Sequence, residues 1–373
     1  MYMTDKWEGQ EYFNIKRFKY IEFYVGNAKQ AVHFYRSTFG FVPYAYCGPE
    51  TGVYSHVSYV LKSRKIFFVF TTPLKSSHPA SEWLKKHGDG VRDVAFDVDD
   101  VDFVYNSCIE RGAIPNVEPH SNKDKGLFFC ASIKTYGDII HSFIDDTKYK
   151  GLWAPKFKEL HLPGINIDVP DAHLVLIDHV VGNVEWDKMD FWREYYEKVF
   201  GFGTFVRFDD GDISTKYSAL KSIVLRSKNW KIKLPINEPA KGLKKSQIEE
   251  YLDFNEDAGV QHIAILTDDI ITSIANLKNN GVDFLDIPDT YYDNLLNRVG
   301  GIDEDIKRLK ELNILVDRDE YGYLLQIFTK PLQDRPTLFI EIIQRKGSKG
   351  FGQGNFQELF ESIEKAQGER GNL

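Results

Sequence analysis

Two segments of the chain repeat the same pattern of apolar and polar residues. Residues 21–27 read Ile-Glu-Phe-Tyr-Val-Gly-Asn, and residues 177–183 read Ile-Asp-His-Val-Val-Gly-Asn. Each segment is followed by an amphipathic helical pattern, over 31–41 and 191–202, that closes on aromatic-Gly-Phe. Glycine is favoured just past a helix end because it adopts positive φ without strain. The pattern predicts a strand followed by a helix in each half of the chain.

A second pair of segments repeats further along. Residues 90–101 match residues 259–270, and each is a β-branched stretch that ends in Asp-Asp. Aspartate is a good N-cap, so a helix is expected after each strand, with Gly112 and Gly281 past its end. Two matches in the same order indicate a duplicated chain. We predict two homologous domains, 1–155 and 156–373.

Further strands are predicted where apolar residues alternate with polar ones. They lie within 53–70, 218–233, 323–329 and 337–344. Each half then reads as strand, helix and three strands, twice over. The predicted fold class is α+β, with two homologous domains of paired βαβββ modules. In each domain a curved mixed sheet forms an open barrel, and a metal site is expected within the C-terminal one.

The composition argues against several classes of function. The 373 residues carry a formal charge of -8, which disfavours nucleic-acid binding because phosphates need a basic face. No apolar run is long enough for a membrane span, and the N-terminus lacks the apolar stretch of a signal peptide. Cys47, Cys108 and Cys130 show no paired spacing, so we expect a reducing cytoplasmic location without disulfides. The 27 Phe and 20 Tyr are compatible with an aromatic-lined pocket.

Comparing the two halves singles out three candidate metal ligands. The alignment places Phe23 opposite His179 and Asp93 opposite His262, so the second half has two imidazoles on different strands. Glu341 lies within an apolar strand, where a buried carboxylate is costly unless it is paired or bound to metal. Two His and one carboxylate leave coordination positions free for substrates. We predict a metal site in the second half and a metal-free first half that has become structural.

Each ligand also has an ordinary explanation when taken alone. A single histidine on a strand is more often a hydrogen-bonded core residue, and Glu341 could point outward between Ile340 and Ile342. The ligand types also leave zinc and manganese open beside iron. The metal interpretation depends on the three positions occurring together.

Longer motifs in the second half resemble a known family. Residues 234–239, 259–262, 329–345 and 350–356 are similar to signatures of the 4-hydroxyphenylpyruvate dioxygenases, which belong to the vicinal-oxygen-chelate superfamily. The resemblance implies Fe(II) held by the two His and Glu341. It also implies that 4-hydroxyphenylpyruvate and O2 yield homogentisate and CO2, with side-chain migration, in tyrosine catabolism.

The resemblance further implies the residues that surround the substrate. Uncharged polar side chains are expected at catalytic positions, namely Ser222, Asn237, Gln247, Gln261 and Gln326. Substrate-binding residues are expected to be Pro235, Phe328, Phe339, Phe351, Asn355 and Phe356. Gln261 precedes a ligand on its strand, so its side chain should point away from the metal.

Two rival functions remain open at this point. Hydroxymandelate synthase uses the same substrate, iron and fold but hydroxylates the benzylic carbon; Pro235, Asn237 and Phe328 favour the ring-hydroxylating type. The other rival is a metal-binding module of the superfamily without redox chemistry. The Glu341 motif and the long C-terminal extension count against it.

The C-terminal segment is predicted to form a lid. Asn355 is a suitable N-cap, and Phe356, Leu359, Phe360 and Ile363 recur at helical spacing. The glycine-rich stretch 350–354 would act as its hinge. A homo-oligomer, dimer or tetramer, is also expected.

Overall fold

Strands make up most of the fold. The computed structural model describes residues 2–3, 7–160, 169–209 and 217–372. In chain order the strands are β1 (Tyr2–Met3), β2 (Ile15–Tyr24), β3 (Val42–Cys47), β4 (His56–Ser63), β5 (Ile66–Pro73), β6 (Gly90–Val98), β7 (Ile114–Asn122), β8 (Gly126–Lys134), β9 (Ile140–Tyr149), β10 (Lys158–Glu159), β11 (Leu174–Asn183), β12 (Gly203–Phe208), β13 (Ala219–Arg226), β14 (Lys233–Ala240), β15 (Gly259–Thr267), β16 (Leu315–Asp319), β17 (Gly322–Phe328) and β18 (Phe339–Lys346).

Helices connect these strands and cover the sheets. They are α1 (Ala28–Phe39), α2 (Pro79–His87), α3 (Val101–Glu110), α4 (Met189–Phe200), α5 (Gln247–Asn255), α6 (Ile270–Asn279), α7 (Thr290–Asp293), α8 (Leu295–Val299), α9 (Ile306–Leu312) and α10 (Phe356–Glu369). Short 3-10 turns lie at Pro49–Thr51 and Gln353–Asn355. None of the helices in the described ranges is long and apolar enough to span a membrane.

The strands form two mixed sheets with the same topology. One has the order β10-β3-β4-β5-β2-β6-β9-β8-β7, and the other β1-β12-β13-β14-β11-β15-β18-β17-β16. In each sheet two βαβββ modules meet at an antiparallel pair, β2 with β6 and β11 with β15. Within each module the first and last strands form a parallel pair, such as β6 with β9 and β15 with β18. The predicted α+β fold of paired modules, with curved sheets forming half-barrels, is confirmed.

The predicted helix boundaries have the expected chemistry. Gly40 and Gly201 follow α1 and α4 with φ of 73° and 69°, a conformation that costs glycine little. The side chains of Asp100 and Asp269 cap α3 and α6, accepting hydrogen bonds from Phe103 N at 2.9 Å and Thr272 N at 3.0 Å. These local signals set the order of strand and helix in both halves.

The hydrogen-bond register corrects one position in the predicted alignment of the halves. Ala95 and Ala264 occupy the same place in the repeated segments 90–101 and 259–270. Tyr20 lies opposite Ala95 in the β2–β6 pair, and His179 lies opposite Ala264 in the β11–β15 pair. Tyr20 is therefore the structural counterpart of His179. The prediction that Phe23 occupies this position is wrong.

The two Gly-Asn pairs occupy different places relative to their strands, which explains the error. β2 ends at Tyr24 and α1 begins at Ala28, whereas β11 ends at Asn183 and α4 begins at Met189. Gly182 and Asn183 are therefore the last residues of β11, whereas Gly26 and Asn27 lie in the connection after β2. Matching these pairs shifts one strand along the other. Phe23 faces the helix-covered core and is 1% exposed.

Two short strands, one from each predicted half of the chain, pair with the sheet of the other half. β1 pairs with β12 in the second sheet, and β10 pairs with β3 in the first. β10 follows the predicted boundary at residue 155 and yet extends the first sheet. The division into 1–155 and 156–373 stays a prediction.

Candidate metal centre

Three neighbouring strands bring His179, His262 and Glu341 together. His179 on β11 and Glu341 on β18 both lie opposite Ala264 of β15, one on each side. His262 is two residues before Ala264 on the same strand, so its side chain points to the same face. The central alanine leaves the space above it free for the three longer side chains.

The ligand atoms of these residues converge on one point. Oε2 of Glu341 lies 3.1 Å from Nε2 of His179 and 3.3 Å from Nε2 of His262. One candidate ligand atom from each residue falls within 4.8 Å of the others, and all three residues are buried. A buried carboxylate between two imidazoles is the arrangement expected when a cation belongs at the centre.

The ionisation of the three groups suits metal binding. Burial opposes the charge of Glu341, but the two imidazoles outweigh it and lower the pKa of the carboxyl to about 2. Burial alone would lower the pKa of His179, but the carboxylates of Glu341 and Asp178 have the larger combined effect and raise it. Burial dominates at His262 and lowers its pKa. Metal binding therefore needs to displace a proton chiefly from His179.

The residue before each histidine orients its ring. Nδ1 of His179 lies 2.8 Å from a carboxylate oxygen of Asp178, and Nδ1 of His262 lies 2.9 Å from the amide oxygen of Gln261. Each contact holds the Nδ1 proton and leaves Nε2 directed at the centre. Gln261 was predicted to point away from the metal, and this contact gives it an orienting position.

Asp178 was not predicted as a functional residue. Its carboxylate is 3% exposed and contacts Lys233 at 3.0 Å and Arg345 at 2.8 Å. Burial alone would raise its pKa, but these two cations hold the pKa well below the usual range. Its signal in the sequence is an acid directly before a candidate ligand within an apolar strand.

A cavity with aromatic walls adjoins the three ligands. Its volume is about 70 Å³. Besides the triad, it is lined by the predicted Ser222, Pro235, Asn237, Gln247, Gln261, Phe328, Phe339, Phe351 and Phe356. Leu359 and Phe360 of the predicted lid helix also line it. So do four residues that were not predicted, namely Val181, Phe208, Leu220 and Val224. The unpredicted residues are all apolar, and nothing in the sequence distinguishes them from ordinary core residues.

The phenylalanines contact the metal ligands as well as the cavity. The ring of Phe339 stacks on His262 at a centroid distance of 4.9 Å, and Phe328 meets the same imidazole edge-on at 6.0 Å. Phe351 packs edge-on against His179 at 5.0 Å. These contacts restrict both imidazoles to one orientation.

Two predicted site residues do not line the cavity. Gln326 is 1% exposed, and a Cβ at Gly352 would lie only 2.2 Å from its side-chain oxygen, so it packs beneath the C-terminal segment. Asn355 is fully buried, and its side-chain oxygen accepts a hydrogen bond from the hydroxyl of Tyr291 at 2.7 Å. Both residues support the segment that covers the cavity.

Asn355 occupies the predicted N-cap position of α10, but its side chain does not cap the helix. Its side chain makes no capping hydrogen bond, and its backbone already has helical angles, φ -107° and ψ -4°. The 3-10 turn at Gln353–Asn355 runs directly into α10, and Tyr291 takes the amide oxygen. The amphipathic helix itself is present, and Phe356, Leu359 and Phe360 face the cavity.

Comparison with known proteins identifies the class to which this fold and site belong. The profile described as Glyoxalase/Bleomycin resistance protein/Dioxygenase superfamily matches residues 17–139 and 176–327. The matched segments contain most of both sets of paired modules, up to but not including β9 and β18, and two of the three ligands. The class is therefore the superfamily named by this profile.

Relatives that match nearly the full length of the chain identify its family within this superfamily. The 4-hydroxyphenylpyruvate dioxygenase of Danio rerio is 49% identical over 378 residues, covering 99% of this chain and 95% of the relative. That of Aspergillus fumigatus is 48% identical, covering 96% and 94%. A solved variant of 4-hydroxymandelate synthase from Streptomyces coelicolor has a TM-score of 0.84 at 32% identity, covering 95% of this chain and 99% of that one. The chain belongs to the 4-hydroxyphenylpyruvate dioxygenase family.

Proposed function

We propose that the chain converts 4-hydroxyphenylpyruvate and O2 into homogentisate and CO2. The observation that carries the proposal is the buried His179, His262 and Glu341 cluster on the wall of an aromatic cavity. It occurs in a chain 49% identical, nearly end to end, to a protein named for this activity. The reaction would serve tyrosine catabolism.

Fe(II) is the metal that we assign to the centre. Two imidazoles and one carboxylate on one face match the ligand set of non-haem Fe(II) oxygenases, which leaves positions open. Iron held there would supply chelation of the 2-oxo acid and reduction of O2. The protein contributes fixed ligands, because Asp178 and Gln261 hold the imidazole orientation.

The cavity walls suit the two ends of the substrate. Phe328, Phe339 and Phe351 surround the ligands and can pack against a phenyl ring by edge or offset stacking. Ser222 and Asn237 lie opposite each other on β13 and β14, so they form one polar strip of wall. With Gln247 and Gln261, their uncharged groups can hydrogen-bond a phenol or keto acid without fixing it as an ion.

Closure of the cavity is part of the proposal. A cavity of about 150 Å³ is large enough to bind benzene. The cavity here, at about 70 Å³, is less than half that volume, while the substrate is larger than benzene. We infer that α10 moves away to admit the substrate and returns to exclude water. We assign Gln326 and Asn355 to positioning this segment, through Gly352 and Tyr291.

An anaerobic titration followed by oxygen tests the proposal. The Fe(II) protein mixed with 4-hydroxyphenylpyruvate should develop the visible charge-transfer band of a chelated keto acid. Homogentisate should form once O2 is admitted. His262→Ala should lose iron and activity together, while an exposed-site variant such as Glu320→Gln should keep both.

Each alternative predicts a different outcome in the same experiment. Hydroxymandelate as product would identify the benzylic hydroxylase, whose solved relative shares this fold. A charge-transfer band without turnover would indicate a binding module. Zinc or manganese in place of iron would give no charge-transfer band.

We also propose a cytoplasmic homo-oligomer, a dimer or a tetramer. The three cysteines are free, as a reducing compartment would allow. Light scattering on the purified chain measures the assembly, and a monomer at micromolar concentration would contradict it.

A further inference from the structure

The N-terminal half-barrel contains a larger cavity than the C-terminal one. Its volume is about 520 Å³, within the range of small-molecule sites. It is lined by residues of β2, β4, β6, β8 and β9, the counterparts of the strands that surround the metal centre. Duplication has therefore left two cavities at equivalent places.

The register identifies the residues that replace the metal ligands. Tyr20 corresponds to His179 and Asp93 to His262. β9 pairs with β6 as β18 pairs with β15, so Ser142 corresponds to Glu341.

These three counterparts are joined by hydrogen bonds. The hydroxyl of Tyr20 donates to Asp93 at 3.1 Å, and the backbone N–H of Ser142 donates to the other carboxylate oxygen at 3.0 Å. The triad position has been kept as a polar cluster in which a carboxylate takes the place of an imidazole.

A second carboxylate lies beside the first. Glu22 is the cross-strand neighbour of Asp93 and lines the same cavity. It accepts a hydrogen bond from Thr71 at 2.6 Å, and Thr71 contacts Ser58 at 2.7 Å. Since cross-strand neighbours lie about 5 Å apart, two acids here face one another across a small space.

The two acids have Arg92 as a neighbour in the same cavity, and its charge lowers the pKa of both. Within the described ranges neither Glu22 nor Asp93 forms an ion pair with Lys, Arg or His. The nearby Lys19 is engaged with Asp146 at 2.6 Å, and Arg92 stands over the ring of Tyr24 at 6.0 Å.

The charge of Arg92 does not offset the burial of the pair. Burial, with a contribution from Asp93, raises the pKa of Glu22 to about 7. Burial likewise raises the pKa of Asp93 to about 6. A bound cation would relieve both costs.

The rest of the cavity wall is aromatic. Trp153 packs against Tyr20 with ring centroids 5.7 Å apart, and Phe128 and Phe157 also line the space. Aromatic faces attract cations and hold apolar bodies. Carboxylates at one side and aromatic rings at another are the features of a site for an organic ammonium ion.

We propose that the N-terminal half-barrel binds a primary amine with an aromatic or apolar body, its ammonium group at Glu22 and Asp93 and its body against Trp153. The site is separate from the metal centre and does not depend on the reaction there. It also changes the prediction that this half is structural alone.

Calorimetry with a matched set of probes tests the proposal. 2-Phenylethylamine, 2-phenylethanol and 3-phenylpropionate share a phenyl body and differ in charge. At pH 8, with the full metal-loaded chain, we expect the amine to bind once per chain, at least tenfold more tightly than the alcohol. Stronger binding of the alcohol or the acid, or no binding of the amine, would overturn the proposal.

A substitution in each cavity tests where the amine binds. Glu22→Gln should weaken amine binding at least tenfold, whereas Glu341→Gln, the matched change in the other cavity, should leave it unchanged. The reverse pattern would place the amine in the C-terminal cavity and refute the assignment. If Glu22→Gln lowers stability, Trp153→Phe gives an independent test. The amine should change the tryptophan fluorescence of the parent chain, and this change should be absent in Trp153→Phe.

Discussion

Asp178 connects a metal ligand to the segment that covers the cavity. It orients His179 and pairs with Arg345, and Arg345 donates hydrogen bonds to the backbone oxygens of Gly350 at 2.6 Å and Ser348 at 3.3 Å. In the first half the equivalent positions hold Lys19 and Asp146, 2.6 Å apart with the charges exchanged. The duplicated fold thus keeps an ion pair at this position, and only in the second half does it lie beside a candidate metal ligand.

Replacing Asp178 by asparagine should weaken metal binding. Loss of a partner that orients a ligand typically costs about 10–100-fold in metal affinity. The change also leaves Lys233 and Arg345 without their carboxylate, which should cost about 3 kcal/mol of unfolding free energy. Metal titration and urea unfolding measure the two effects.

The equivalent pair in the first half provides the control. Asp146→Asn removes the carboxylate of the equivalent ion pair, at the position that corresponds to Arg345 and in the sheet without the metal centre. It should leave metal affinity unchanged. Equal losses in both variants would show that Asp178 acts through general stability alone.

Glu22 should make the ligand-free protein less stable as the pH rises. Its pKa is about 7 in the folded chain and 4.5 in the unfolded chain, so between these values the unfolded state binds fewer protons. Stability therefore falls from about pH 4.5 to pH 7 and levels off above. Asp93 and Arg92 are the charged groups that act on Glu22.

The variant Glu22→Gln should remove this dependence. We expect it to be about 2 kcal/mol more stable than the parent at pH 8 and nearly equal at pH 4.5, by urea unfolding. Glu320→Gln, at an exposed turn, is the control and should follow the parent. A stability difference that does not change with pH would contradict the assigned pKa.

At the scale of elements, α10 is held at both ends. Arg298 donates to the backbone oxygen of Gly354 at 3.1 Å near its start, and Arg370 pairs with Glu250 of α5 at 2.6 Å near its end. Its apolar face, with Phe356 and Phe360, covers the cavity. Opening of the proposed lid would therefore have to break at least one of these contacts.

Deleting residues 350–373 should abolish turnover and preserve the fold. The deletion removes Phe351, Phe356, Leu359 and Phe360 from the cavity wall and exposes it to water. Iron content and far-UV circular dichroism should remain close to those of the full chain. Full activity in the truncated protein would contradict the lid.

The sequence predicted these elements well where a local signal exists. Gly40, Gly201, Asp100 and Asp269 mark helix ends by their own conformational preferences, and the structure has helix ends there. Asn355 failed as a cap because a distant residue, Tyr291, competes for its side chain. Such competition depends on tertiary contacts, which a local pattern does not contain.

At the scale of the whole molecule, duplication was visible in the sequence, but its register was not. The Gly-Asn repeat suggested Phe23 as the counterpart of His179, and the structure assigns Tyr20. Shifting a strand by an odd number of residues exchanges its two faces. The error therefore selected Phe23, which faces the core, in place of Tyr20, which lines the N-terminal cavity. The three metal ligands could be predicted because they occur together in one half of the duplicated chain. The role of Asp178 depends on its contacts with Lys233 and Arg345, which the sequence does not show.

The fate of both oxygen atoms of O2 tests the central claim most directly. The iron-loaded chain is supplied with 4-hydroxyphenylpyruvate under 18O2, and the product is analysed by mass spectrometry. We expect homogentisate with one labelled oxygen in the new carboxylate and one in the new ring hydroxyl, and unlabelled CO2. A product without label in the ring, or hydroxymandelate in place of homogentisate, would contradict the account.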